Sequence, residues 1–214
     1  MSDERPSRER LVTASLELMR RHGYAGTGVK AILTASAVPY GSLYHHFPGG
    51  KEELGAETLR QGGLVYLGLV EAFFPAGADV VEATAAFFEA AAEFVASTDF
   101  VDACPIATIA GEIAGTSEPM RAAAAEAFES WLAALRDRMA AAGIPDGRAG
   151  ELAIELFCGL EGAFLLARTI RDVEPILVAG RAATAAVGAA VRAAAVDLGA
   201  SRPHAETVRA RKGR

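Results

Sequence analysis

Side chains suited to specific hydrogen bonding lie close together in one short run of the sequence. Tyr40, Ser42, Tyr44 and His45 stand beside Gly41, and a helix through them would present most of these groups on one face. Neutral hydroxyls and aromatic rings are an unusual choice for a face that contacts only water. Such groups donate and accept hydrogen bonds at base edges and phosphate oxygens, so the run is a candidate nucleic-acid contact.

Two short helices are predicted to position this run. The first covers about residues 28–35, with Thr27 as its N-cap, and the second begins near Pro39 and continues through His46. Apolar side chains mark the faces that would pack across the turn between them: Val29, Ile32, Leu33, Val38, Leu43 and Phe47. Two helices joined in this way form a helix-turn-helix, whose second helix enters the major groove of DNA.

The rest of the sequence also predicts helices. Alanine is abundant from Ala83 onward, β-branched residues are sparse, and glycine or proline separates the apolar stretches. One predicted helix covers residues 7–22, with Ser7 as its N-cap and Gly23 at its end. The others cover residues 51–74, where Gly62 and Gly63 weaken the pattern, and then 80–96, 105–114, 119–142, 148–169 and 175–198. No segment has the pattern of a strand, so the predicted fold class is all-α.

The first quarter of the chain resembles the TetR/AcrR family of transcriptional regulators. In that family a helix-turn-helix ends in a run of the form G-[ST]-L-Y-x-[HY]-F, followed by K-E-x-L. This sequence has Gly41-Ser42-Leu43-Tyr44-His45-His46-Phe47, followed by Lys51-Glu52-Glu53-Leu54. The pair Gly23-Tyr24 after the first helix matches too, and the motif resemblance covers about residues 7–56.

The resemblance implies roles for individual residues in contact with DNA. Tyr44, His45 and His46 would hydrogen-bond the sugar-phosphate backbone, and Lys51 at the start of the fourth helix would meet a phosphate. The residues implied at base edges or at the start of the reading helices are Thr27, Lys30, Tyr40, Gly41 and Ser42. His46 has a structural alternative as an internal hydrogen-bonding group.

Two departures from the family pattern are visible. The family usually has glycine in the turn of the helix-turn-helix where this chain has Ala37, and a positive φ there would cost about 1 kcal/mol. The loop Pro48-Gly49-Gly50 is one residue longer than the common form. Together with Cys104-Pro105 at the start of a later helix, this loop resembles the LmrA/YxaF-like subgroup.

Aromatic side chains gather in the middle of the chain, where they are either packed core or the lining of a cavity. Large rings beside many alanines leave space that must be filled or occupied. The candidate ligand-binding residues are Phe88, Cys104, Thr108, Glu112, Phe128, Trp131, Phe157, Glu161 and Phe164. An aromatic, partly polar compound would suit this set, and the resemblance implies a drug-like or flavonoid-like effector.

Small residues are frequent in the last two predicted helices: Gly159, Gly162, Ala163, Ala167, Gly180, Ala183, Ala186, Gly188 and Ala190. Small side chains let helices approach closely, either within the chain or between two chains. The resemblance implies that these two helices form the interface of a homodimer, which a palindromic operator requires.

The chain is therefore predicted to have three parts. Residues 1–50 form a helix-turn-helix DNA-binding domain, residues 51–200 a helical ligand-binding and dimerisation domain, and residues 201–214 a basic tail predicted to be disordered. Six basic and four acidic side chains precede Gly49, a net charge of +2, whereas the whole chain has a net charge of −6. A basic end joined to an acidic body fits a DNA-binding head.

Several other classes of protein are disfavoured. The sequence has no Ser-His-Asp motif, no paired-carboxylate motif and no phosphate-binding GxxxxGK[ST] loop, so an enzyme is not expected. Its four histidines and two cysteines lack metal-ligand spacing, and no cofactor is expected. Cys104 and Cys158 are predicted as two buried thiols in a reducing cytoplasm, and the apolar runs as too short or too interrupted to span a membrane. The prediction is a ligand-released repressor binding double-stranded operator DNA, with a DNA-binding regulator that has no small-molecule ligand as the alternative.

Overall fold

The computed structural model describes residues 5–102 and 104–200. Within these ranges the chain forms nine α-helices and no strand. They are α1 (Ser7–Gly26), α2 (Val29–Ser36), α3 (Tyr40–His46), α4 (Gly50–Phe73), α5 (Val80–Ser97), α6 (Pro105–Ile113), α7 (Glu118–Ala141), α8 (Asp146–Ile170) and α9 (Glu174–Ala200). The all-α prediction is confirmed. The predicted tail, residues 201–214, lies outside the described residues, and the proposed domain boundary at residue 50 stays a prediction because α4 begins there and continues into the body.

Helix α1 differs from the prediction at both ends. Its N-cap is Pro6 rather than Ser7, which is already helical, so the capping role predicted for Ser7 is wrong. Gly23 does interrupt the helix, with φ of 69°, but one further turn continues to Gly26. A Cβ at Gly23 would lie 1.9 Å from the Glu112 carboxylate, so both the positive φ and the close approach require glycine here.

The turn between α2 and α3 keeps the left-handed conformation although it contains no glycine. Ala37 has φ of 50° and ψ of 39°, and its backbone N–H donates to the carbonyl groups of Leu33 and Thr34. The carbonyl of Ala37 accepts a hydrogen bond from Arg10 on α1, with an N···O distance of 3.3 Å. The geometry of the family's turn is therefore retained, and these hydrogen bonds offset the strain of about 1 kcal/mol.

The pair Gly62 and Gly63 does not break α4, because here glycine permits close packing. A Cβ on Gly63 would lie 2.7 Å from the Cβ of Ala127 on α7, so the two helices touch at this point. The carbonyl oxygen of the buried Gly63 accepts a hydrogen bond of 2.8 Å from the indole Nε1 of the buried Trp131. The contact anchors α4, which begins in the head, to the centre of the body.

The body is a bundle in which α4 packs against α7, and α9 against both α5 and α8. One apolar core runs through the body and the head, from Leu11 in α1 to Val187 in α9. Segment Glu174–Val196 of α9 is also long and apolar enough to cross a membrane, by length and composition alone. One such helix does not establish a membrane span, and the segment carries Arg181 and Arg192, so the absence of a membrane span stays a prediction.

Candidate nucleic-acid interface and cavity

Helix α3 presents its tyrosines outward. Tyr40 is 64% exposed and Tyr44 is 44% exposed, and their rings lie 5.4 Å apart with a distance of 3.5 Å between the two hydroxyl oxygens. The hydrogen bond with Tyr40 raises the pKa of Tyr44 above its ordinary value, so this phenol stays protonated and able to donate. Gly41 and His45 are exposed as well. The structure thus brings four predicted DNA-contacting residues to one surface.

The remaining predicted residues of the reading surface divide by exposure. Lys30 is exposed on α2, whereas Ser42 and His46 are partly buried. Thr27 is only 1% exposed, and its hydroxyl donates to the Gly23 carbonyl at 2.7 Å. The predicted N-cap role of Thr27 is wrong, because Gly28 occupies that position, and the buried Thr27 side chain does not lie at the surface.

Lys51 is partly buried, and its ammonium group is bonded within the chain. Its Nζ donates to the Tyr24 carbonyl oxygen at 2.7 Å and lies 4.1 Å from the centre of the Tyr24 ring. Burial lowers the pKa of Lys51, and nearby Glu112 acts in the opposite direction. In this structure the ammonium group joins the start of α4 to the end of α1, and the phosphate contact of Lys51 stays a prediction.

Glu112 also joins two helices, at the junction between α6 and the head. Its carboxylate accepts hydrogen bonds from the backbone N–H groups of Tyr24 and Ala25, at 3.1 and 2.8 Å. These are amides that the interruption at Gly23 leaves without helical partners. Glu112 thus attaches the last turn of α6 to the head, and its role in ligand binding stays a prediction.

A cavity of about 230 Å³ lies between the helices of the body, with Leu69 and Phe94 partly exposed at its edge. It includes five predicted ligand-binding residues: Cys104, Trp131, Phe157, Glu161 and Phe164. Its other lining residues are Tyr66, Leu69, Val70, Phe73, Phe87, Ala90, Ala91, Phe94 and Leu160. Nearly all of the wall is aliphatic or aromatic.

The lining residues that the sequence prediction missed lie on α4 and α5, with the same spacing along each helix. Tyr66, Leu69, Val70 and Phe73 on α4 follow the i, i+3, i+4, i+7 pattern of a single helical face, and so do Phe87, Ala90, Ala91 and Phe94 on α5. The set on α8 has the same pattern: Phe157, Leu160, Glu161 and Phe164. Three matching faces on three helices are the signal that would have identified the cavity from the sequence.

Three further predicted ligand-binding residues lie outside this cavity, so their role in ligand binding stays a prediction. Phe88 is 1% exposed and packs against Gly180 of α9, where a Cβ would lie 2.6 Å from the Cβ of Phe88. The Thr108 hydroxyl donates to the Cys104 carbonyl at 2.9 Å. Phe128 packs edge-on behind Trp131, with ring centres 5.4 Å apart.

The polar groups of the cavity are concentrated at one position. The Cys104 thiol hydrogen-bonds the Glu161 carboxyl group, and Tyr66 lies near both. Burial raises the pKa of Glu161 to about 7, raises that of Tyr66 to about 12 and raises that of Cys104 well above its ordinary value. Cys158 is exposed, so the prediction of two buried thiols is correct only for Cys104.

Both halves of the chain match known families. Residues 11–58 match the model of the tetR family of bacterial regulatory proteins, and residues 80–182 match the C-terminal domain of LmrA/YxaF-like transcriptional regulators. The HTH-type transcriptional regulator LmrA of Bacillus subtilis is 32% identical over 80% of this chain and 91% of its own. The regulator YxaF of the same organism is 32% identical over 83% of this chain and 93% of its own.

The chain belongs to the TetR family, in its LmrA/YxaF-like group. A solved structure agrees: the regulatory protein TetR from Rhodobacter sphaeroides superposes with a TM-score of 0.74 at 26% identity, covering 84% of this chain and 98% of that one. Proteins of the TetR family are DNA-binding transcriptional regulators, typically repressors and typically dimeric, and are not enzymes.

In this TetR-family chain, α6 runs from the cavity to the DNA-binding head. It begins after Cys104, in the cavity wall, and ends with Glu112 bonded to α1. A second contact reinforces the junction: Arg20 on α1 forms a 2.6 Å ion pair with Asp102, which is 4% exposed just before α6. Both ends of α6 therefore lie beside a polar attachment to the head.

The outer faces of α8 and α9 carry exposed apolar side chains: Ile154, Leu165, Leu166, Ile170, Val178 and Val196. The small residues predicted at a dimer interface are in part turned inward instead. Ala163 and Ala167 are buried, and Gly180 and Gly188 pack near Phe88 and Val81 of the chain's own α5. Their spacing reflects packing within one chain, whereas the larger apolar residues mark the surface that remains uncovered.

Proposed function

We propose that this protein is a ligand-responsive repressor that binds a palindromic operator as a homodimer and is released by a small apolar or aromatic effector. The observation that carries this proposal is the placement of α6, which lies beside the cavity at one end and bonds to the head at the other. A cytoplasmic location, with access to DNA, accords with this role.

The exposed face of α3 supplies the proposed contacts with DNA. Tyr44 and His45 are proposed to bind phosphates, and Tyr40, Gly41 and Lys30 to approach base edges. The first turn of α2 has no side-chain cap, because the Thr27 hydroxyl is bonded to Gly23 instead. Its backbone N–H groups are positioned to meet a phosphate, a contact that the sequence prediction did not include.

The homodimer is proposed to form through the exposed apolar faces of α8 and α9. Leu165 is 69% exposed and Val196 is 69% exposed, and covering such side chains in a two-fold interface would remove them from water. A two-fold dimer places two copies of α3 in successive major grooves, which is why the operator is proposed to be palindromic.

Release is proposed to follow from a change in the position of α6. An effector that needs more space at Cys104 would displace the first turn of α6, and Glu112 and Asp102 would transmit the displacement to α1. If the effector binds the displaced form more tightly by roughly 1–3 kcal/mol, operator affinity falls about 5–150-fold. The bonds of Glu112 to Tyr24 and of Asp102 to Arg20 determine how much of the displacement of α6 reaches the head.

Titrating one sample with an aromatic compound, while following both Trp131 fluorescence and operator binding, tests the proposal. Trp131 is the only tryptophan of the chain and lies in the cavity wall, so an occupant should quench it. Quenching and operator release should occur over the same concentration range. Replacing Phe164 with Ala should weaken both responses while leaving ligand-free operator affinity within a few-fold. Operator affinity that no cavity-binding compound changes would favour the alternative, a regulator without a small-molecule ligand.

A further inference from the structure

A single carboxyl group in an otherwise apolar and aromatic wall defines the chemistry of the cavity. Glu161 occupies the i+4 position of the α8 face whose other members are Phe157, Leu160 and Phe164. None of the residues described as lining the cavity is a lysine, arginine or histidine. The neighbours of Glu161 that carry a polar group are the Cys104 thiol and, further away, Tyr66.

This arrangement lacks the partner that a buried carboxylate ordinarily has. Buried acidic groups are paired with a cation or held by several hydrogen-bond donors, because an isolated charge in an apolar site is strongly disfavoured. Arg20, a cation close enough to act on Tyr66, already forms an ion pair with Asp102. A bound molecule with a positive group would supply the missing partner for Glu161.

The aromatic rings favour the same class of ligand. Trp131 and Phe157 stack with ring centres 5.7 Å apart, and Tyr66 lies 6.0 Å from Trp131. The electron-rich faces of such rings attract cations, and their area accommodates an apolar ring system. An anionic compound would meet a like charge with no basic group in the lining to offset it.

We infer that the effector is a lipophilic amine: an aromatic body held among Trp131, Phe157 and Phe164, with a protonated nitrogen bound to the Glu161 carboxylate. The inference rests on the proposed function, since it names the class of effector for the same cavity. The raised pKa of Glu161, about 7, is consistent with it, because a carboxyl group half ionised near neutral pH becomes fully ionised beside a bound cation.

The test uses three compounds of one shape: 4-phenylbenzylamine, the neutral 4-phenylbenzyl alcohol and the anion biphenyl-4-carboxylate. Isothermal titration calorimetry gives the affinity of each for the full chain, and Trp131 fluorescence shows that the compound lies in the cavity. We expect the amine to bind roughly tenfold more tightly than the alcohol, and the carboxylate most weakly. Glu161→Gln should abolish the advantage of the amine while preserving binding of the alcohol.

A matched control is Glu155→Gln, on the same helix but 52% exposed and paired with Arg148, which should leave all three affinities unchanged. Equal binding of amine and alcohol, or an advantage that survives Glu161→Gln, overturns the inference and leaves the effector cavity itself standing. If neither compound binds, the inference is overturned together with the proposed cavity. If the amine binds through Glu161 without releasing operator DNA, recognition is supported and the proposed ligand response fails.

Discussion

The head and the body of this regulator use their aromatic residues in opposite ways. In the head, Tyr40 and Tyr44 are exposed on α3, where they have few contacts within the chain. In the body, Trp131 is 1% exposed and Phe157 is 9% exposed, and both line a space that the chain does not fill. One surface is formed by side chains that project outward, and the other by side chains that leave a gap between them.

The difference explains why short motifs identify the head and not the body. The exposed face of α3 depends on residues within one helix, so the short run Gly41-Ser42-Leu43-Tyr44 is enough to specify it. A cavity depends on several helices meeting, and no single segment specifies it. The comparison also separates the expected effects of substitution: changes on the exposed face of α3 should alter DNA affinity directly, and changes in the cavity wall should alter stability or ligand binding.

The largest expected effect comes from the exposed face of α8. Replacing both Leu165 and Leu166 with Arg should give monomers in analytical ultracentrifugation, because four charged side chains would face one another across a two-fold interface. Operator affinity should fall roughly a hundredfold or more, because each head then binds alone. The head itself would be unaltered, so DNA binding is expected to depend on a surface in the body.

The matched control for this prediction is the pair Leu64→Arg and Val65→Arg on α4. These side chains are 61% and 59% exposed, against 69% and 56% for Leu165 and Leu166. This control should remain dimeric and bind the operator normally. A dimer that survives the α8 substitutions, or that is lost equally in the α4 control, would contradict the proposed interface.

The second prediction concerns the stability of the body as a function of pH. The pKa of Glu161 is raised to about 7 by burial, so the unfolded chain loses this proton more readily than the folded one. The free energy of unfolding should therefore fall as pH rises from about 4.5 to about 7, by at most about 3 kcal/mol. Urea denaturation at several pH values should show this slope in the natural protein.

Glu161→Gln should remove the pH-dependent contribution of this carboxyl group to the free energy of unfolding. The stability of the variant relative to the natural protein should therefore be greater at about pH 8 than at about pH 5. The comparison is between slopes, so a constant loss from burying the amide group does not affect it. Glu155→Gln provides the exposed control and should retain the slope of the natural protein. The same slope in the Glu161 variant would show that this carboxyl group is not desolvated in the folded state.

The sequence predicted the helices well, because each has its own apolar period and its own glycine or proline boundary. Helices α5 and α6 were predicted to within one residue at each end. The sequence did not predict the contacts of side chains whose partners are distant in the chain. Glu112 and Lys51 both bond to α1, at separations of 87 or 88 and of 27 residues, and no local pattern indicates such pairings. Glu161 was identified because an acidic residue on an apolar face is itself a local signal.

The third prediction isolates the reading surface of the head. Tyr44→Phe removes one exposed hydroxyl group and should weaken operator binding roughly tenfold, by about the same factor for different operator sequences, because a phosphate contact carries no base preference. Fluorescence anisotropy with a set of operator variants measures both quantities. Tyr66→Phe, in the cavity wall, should leave DNA affinity unchanged. A change in sequence preference would place Tyr44 at a base edge instead.

The smallest expected effect separates two roles for Lys51, whose ammonium group bonds to the Tyr24 carbonyl at 2.7 Å. A phosphate contact adds about 0.9 to the slope of log affinity against log salt concentration. Because this ammonium is already engaged within the head, Lys51→Met should lower operator affinity a few-fold, by loosening α4 from α1, and should leave the salt slope unchanged. Lys30→Met, at an exposed position of α2 proposed to approach base edges, is the control and should change the preference among operator sequences. If Lys51→Met instead reduces the slope by about 0.9, Lys51 releases Tyr24 when DNA binds and contacts a phosphate itself.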